Sequence, residues 1–232
     1  MPSQNEIDVL LTTLASAPAR IAAAIGDWPA SALHTPLGAD EWPAAQLFAH
    51  IRASDDVLAY RTYLILSQDH PLYHDIDERA WESAVRYVDV PFAASMQAFA
   101  LRRAELVQML RRASDADWGR AGQHEQRGEQ TLWTVASYLS EHEEEHVAQV
   151  QSLARRRALL QAMAHGLRLK DHRDIEGRKG FMLHREDDSG APVNEADVAA
   201  LVNAGLIDSN KKFPAATYWL TEPGRAVMGA GA

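Results

Sequence analysis

Apolar residues recur along most of this chain at the spacing of one helical face. Ile7, Leu10, Leu11, Leu14, Ile21 and Ile25 predict a first helix over 5–25. Pro18 lies inside it and is expected to kink or restart it, because proline lacks a backbone donor. After a loop over 26–41, Asp40 or Glu41 sits near a cap and Pro43 in a first turn. The second helix is predicted over 43–66, with Leu47, His50, Ile51, Ser54, Val57, Leu58, Leu64 and Ile65 as its stripe. A long connection follows, with a short helix around Glu78 to Val85. Pro91 opens a third helix to about Ala113, carrying Phe92, Met96, Phe99, Leu106, Met109 and Leu110. A polar loop over 114–130 leads to Thr131, which caps a fourth helix running to about Ala164. The stripe of that helix runs Leu132, Ala136, Leu139, then Val150 and Leu153, and His142 and His146 are read as filling its middle. Helices of about 20 residues or more with no strand signal between them predict a four-helix bundle.

Near residue 165 the texture changes to glycine, charged residues and short apolar runs. Phe181 to Leu183 reads as a strand after a turn at Glu176 to Gly180. Asn194 caps a short helix with Val198, Leu201 and Val202 inward and Gly205 as its stop. Leu206-Ile207 and Tyr218 to Thr221 read as strands around the loop at Lys211 to Pro214. The expected fold is thus mainly α: a bundle over 1–164 and a small winged-helix-like α+β domain over 165–232.

The chain has 232 residues, no cysteine and a net charge of −9. The missing cysteines exclude disulfides and thiolate ligands, and the acidic balance argues against a general grip on nucleic acid or anionic lipid. From His165 onward there are 9 Lys and Arg against 10 Asp and Glu, so the second domain has no basic excess either. No secretory signal or membrane span is read; a soluble, cytoplasmic protein is expected.

His142 and His146 are four apart on a helix, the spacing that lets two imidazoles grip one divalent ion. His50, inside the stripe of the second helix, is the third candidate ligand; three nitrogens and an open position suit zinc, nickel or iron. His142 to His146 also spells His-Glu-x-x-His, which makes Glu143 a candidate general base. No downstream third-ligand pattern follows it and no sheet edge precedes it, so the protease reading is set aside. The other glutamates of the segment read as solvated. Arg61 shares the face of His50 and is a candidate contact for an anionic substrate, against a snorkelling arginine. His34, His70, His74 and His124 fall in predicted loops and read as surface residues.

In their order and spacing these features resemble the DinB/YfiT-like metal-binding proteins. The matching residues are Glu41-Trp42-Pro43 ahead of His50, Ser114 to Trp118, Thr131-Leu132-Trp133, and His142 to Val150 with Gln149 included. Pro71 to Tyr87 resembles the family's aromatic connection, and the likeness spans about residues 5–160. It implies a divalent metal on His50, His142 and His146, with water completing the site, and often a homodimer. Several relatives use low-molecular-weight thiols such as bacillithiol or mycothiol. The expectation is therefore a metal-dependent transfer of such a thiol to an electrophilic small molecule. Alternatives are a metal-dependent hydrolase, or a non-catalytic regulator whose C-terminal module contacts DNA or a partner.

Overall fold

The structure is a computed structural model, and it describes residues 1–173, 176, 178–187, 189–212 and 215–229. The chain packs as two compact units, Met1–Asp27 with Ala45–Val150, and Trp28–Ala44 with Gln151–Ala232.

Four long helices build the first unit: α1 (Gln4–Ile25), and, after the short α2 (Ala30–His34) of the other unit, α3 (Ala44–Ser67), α5 (Phe92–Leu110) and α7 (Leu132–Ala164). Between α3 and α5 lie β1 (Leu72–Tyr73), α4 (Glu78–Val85) and a single 3-10 turn. Between α5 and α7 lie α6 (Asp115–Trp118), β2 (Ala121–His124) and β3 (Gly128–Thr131). Local chemistry explains the starts. Ser3 and Glu6 close a capping box on α1, Asp77 caps α4, and Thr131 Oγ1 accepts from Thr134 N at 3.1 Å at the head of α7. One core joins Leu10, Leu11 and Leu14 of α1, Leu58 and Ile65 of α3, Leu106 and Leu110 of α5, and Leu132, Val135 and Leu139 of α7.

The strands within this unit depart from the expectation of helices alone. β2 and β3 form an antiparallel hairpin, and β1 adds to β2 in parallel. These strands are two to four residues long and hold few β-branched residues, so no period-two pattern announces them. Gly122 belongs there because a Cβ would come within 2.7 Å of the Tyr73 ring.

Pro18 does not break α1, which runs unbroken from Gln4 to Ile25. Proline deprives the carbonyl four residues earlier of its donor, and here that carbonyl is Leu14 O. Arg103 Nη1 of α5 donates to it at 3.3 Å. The same guanidinium, 1% exposed, binds Asp55 Oδ1 of α3 at 2.6 Å and both carboxylate oxygens of Glu143 on α7, at 2.5 Å to Oε2. One side chain thus joins all four long helices.

By length and composition α1 is apolar enough to cross a membrane, contrary to the expectation that no stretch would be. Its Ile7, Leu10, Leu11 and Leu14 instead belong to the core just described.

The second unit contains α2, the part of α7 from Gln151 onward and a sheet-containing module. β4 (Arg168–Arg173), β5 (Lys179–His184) and β6 (Gly190–Val193) form an antiparallel meander. Then come α8 (Glu195–Asn203), capped by Asn194, the hairpin of β7 (Ile207–Ser209) and β8 (Tyr218–Leu220), and α9 (Glu222–Gly229). Gly205 has φ of +69°, the left-handed conformation its position as a stop requires. β4 and β6 add strands where charge and proline hid them from sequence. The expected turn at 176–180 and the loop at 211–214 include Gly177, Phe213 and Pro214, which lie outside the described residues. Asp171 of β4 anchors this unit, accepting from Ala216 N at 2.5 Å, Lys179 Nζ at 2.9 Å and Tyr218 Oη at 3.3 Å.

The Arg103 cluster yields a direct prediction. Arg103→Met strands two buried carboxylates and should cost about 3–5 kcal/mol in urea unfolding. A loss within experimental error of zero would show that the cluster does not brace the bundle.

Candidate metal centre

Three half-buried histidines meet inside the first unit: His50 of α3 and His142 and His146 of α7. One ring nitrogen from each lies within 4.8 Å of the others. The ring centroids are 4.5 Å apart for His142 and His146, 4.8 Å for His50 and His146, and 5.5 Å for His50 and His142. The structure brings together all three residues proposed as ligands.

The donor set fits a metal. The Nε2 atoms of His142 and His146 are 3.2 Å apart, close to the roughly 3.3 Å edge that tetrahedral binding at about 2.0–2.1 Å imposes. His146 Nδ1 lies 3.0 Å from Gln149 Oε1. An amide oxygen only accepts, so Nδ1 is the donor and Nε2 is the nitrogen left facing the cluster. Burial, then the neighbouring His146, His142 and Arg79, pushes His50 down to about 4. Burial and His146 likewise lower His142, against the opposite pull of Glu78 and Glu145. Both are therefore neutral imidazoles at pH 7, the form that binds metal.

Glu143, the candidate general base, is 3% exposed and turned into the core. Both its oxygens lie on Arg103, so the pair is bidentate. Burial raises its carboxyl, against the pull of Arg103, to about 7. The buried line of α7 is in fact Leu139, Glu143, Val147 and Val150. His142 and His146 flank that line rather than filling its middle, because Glu143 takes the core position that sequence alone assigned to them. Glu144 pairs with Arg20 of α1, and Glu141 and Glu145 are exposed.

Other expectations fare variously. His34, His70 and His74 are exposed, with His70 on Glu129 at 3.2 Å and His74 on Glu125 at 2.7 Å. His124 is the exception: expected at the surface, it is fully buried on β2, and its Nδ1 accepts from Gln126 N and Arg127 N. Arg61 does not snorkel; it is 2% exposed. Trp118 is buried edge-on to Trp133, a helix-end packing role. The hairpin side of the site adds Tyr138, which stacks on His142 and lies beneath Arg127.

Sequence reading overlooked Asp55 and Arg103. Their signal was present: Arg103 stands in the apolar register of Met96, Phe99, Leu106 and Leu110, and Asp55 in that of Ile51 and Leu58. A charge on a buried stripe asks for a buried partner.

A helical bundle with three inward histidines on two of its helices is a recognised kind of metal-site protein. The family model of the DinB superfamily matches residues 13–150, and the chain belongs to that superfamily. Among solved structures the chain is similar to YfiT from Bacillus subtilis, described as a probable metal-dependent hydrolase with an unusual four-helix bundle topology. The two share 23% identity and a TM-score of 0.62 over 68% of this chain and 91% of that one. No curated protein matches the chain.

Two measurements check the centre. After reconstitution with zinc, nickel or iron, elemental analysis should find stoichiometric metal in the wild type and none in His142→Ala. In a chelator competition, Gln149→Ala should weaken metal affinity about 10-fold by releasing the His146 tautomer; unchanged affinity would remove Gln149 from the site.

Proposed function

We propose that this protein is a metal-dependent enzyme in which His50, His142 and His146 hold a divalent ion, and that it transfers a low-molecular-weight thiol to an electrophilic small molecule. The observation that carries the reading is a three-imidazole set that, among the described residues, gains no fourth protein ligand. Three protein donors leave positions for an incoming group, the pattern of catalytic rather than structural sites. When bound, a divalent metal supplies Lewis acidity that makes a thiol or water nucleophilic at neutral pH.

The chain's own part is to hold the three imidazoles aimed, with His50 and His142 kept neutral by burial. Gln149 fixes the proton on His146 Nδ1, and Arg103 engages Glu143, which keeps that carboxylate off the histidines. Glu143 on this reading is a positioning residue and not a base. Tyr138, partly exposed and stacked on His142, stands where an incoming substrate would pass. In the transfer, a carbon–sulfur bond forms to the electrophilic carbon and the leaving group departs with the thiol's proton.

A second reading, metal-assisted hydrolysis, is favoured by the description of YfiT and uses the same three ligands. A non-catalytic regulator is less supported, since the C-terminal module carries no basic excess. A homodimer belongs to the proposal as well, on the strength of the family.

Metal-loaded protein, assayed with a panel of cellular thiols and a reactive electrophile, should form the thioether conjugate. That turnover should disappear with chelator and in His50→Ala. Cleavage of an activated ester without conjugate formation would favour the hydrolase, and stoichiometric metal with neither activity would defeat both enzymatic readings.

A further inference from the structure

The face of α3 that carries His50 continues through Ser54 and Val57 to Arg61, at steps of four, three and four residues. Ser54 and Arg61 are buried, and both leave polar atoms without a hydrogen-bond partner among the described residues: Ser54 Oγ, and Nε and Nη2 of Arg61. The nearest carboxylate oxygen to the guanidinium, Asp75 Oδ1, stands off at 3.9 Å. His124 competes for that same oxygen. Its Nδ1 is an acceptor, so its proton is on Nε2, which lies 3.4 Å from Asp75 Oδ1 and makes no hydrogen bond to it. Two buried donors thus converge on a region with too few acceptors, a costly arrangement that a ligand oxygen would relieve.

We propose that Arg61 receives the carboxylate of the small molecule that reacts at the three-histidine centre, so that the site selects an elongated monoanion. This rests on the metal-dependent reading above and names the class of molecule it acts on. Nε and Nη2 form one edge of the guanidinium, and a carboxylate meets that edge side-on through two parallel hydrogen bonds. Glu78 and Asp75 bear on Arg61 with one sign and Arg127 with the other, so the surroundings hold no excess of positive charge to neutralise a phosphate dianion. Contacts join the two ends: Arg127 lies over Tyr138, which stacks on His142, and Arg127 N donates to His124, whose Nε2 shares Asp75 Oδ1 with Arg61. Along α3 the two positions are about 16 Å apart. The molecule therefore carries its carboxylate several bonds from its reacting atom.

The test uses cobalt(II)-loaded protein, whose visible absorption reports thiolate binding, and a series of ω-mercaptocarboxylates of increasing length beside the matching ω-mercaptoalcohols. At the fitting length the carboxylate should bind about 10-fold more tightly than the alcohol. Arg61→Gln should erase that advantage and leave the alcohol's affinity unchanged, and Arg61→Met serves if Gln does not fold. Equal affinities at every length, or an advantage that survives Arg61→Gln, would overturn the proposal. If no thiol perturbs the cobalt spectrum, the thiol-transfer reading fails on its own. Arg61 is then judged by adding simple fatty carboxylates to metal-free protein. A shift of the Arg61 Nε–H resonance, absent in the variant, upholds the anion site, and no shift refutes it.

Discussion

The bundle turns on a single buried guanidinium. Arg103 meets the carbonyl that Pro18 leaves without a donor, the carboxylate of Asp55 and both oxygens of Glu143. Each contact comes from a different helix, so the position of α5 relative to α1, α3 and α7 is set by one planar fork. Burying such a group is costly unless every partner is in place. That all-or-none requirement disfavours any slip or rotation of α7 that would move Glu143. His142 precedes Glu143 in the chain and His146 follows one turn later. What holds the glutamate in register therefore holds the imidazoles in register too.

This arrangement changes the meaning of His-Glu-x-x-His. In a zinc protease the glutamate faces the metal as a base; here the same spelling places it one helical step away, on a structural arginine. Adjacent positions on a helix differ by about 100°, so a small difference in which face meets the core separates the two roles. The bundle presents its core to Glu143 and its half-buried flank to the histidines. Three imidazoles then share a small volume, with Tyr138 and the hairpin beside them.

The long helices were legible because their periodicity is continuous and their caps are conventional, as at Asp77 and Thr131. His142 and His146 could be found from their spacing of four on one helix and His50 from its place in an apolar stripe, although the α7 histidines turn out to flank the buried line and not to fill it. The same reasoning, applied to charges, would have found Arg103 and Asp55. What stayed hidden depends on tertiary contact. Pro18 is harmless only because a residue 85 positions later supplies a donor. His124 is buried only because a hairpin with no alternating pattern folds it inward. β4 and β6 are held by pairing across a sheet and not by their own composition.

The central claim is that His50, His142 and His146 bind one divalent metal with open positions left over. X-ray absorption at the edge of the reconstituted metal tests it most directly. The account predicts three imidazole nitrogen scatterers at about 2.0–2.1 Å with lighter exchangeable ligands completing the shell, falling to two imidazoles in His50→Ala. A shell without multiple imidazoles, or one unchanged by His50→Ala, would contradict it.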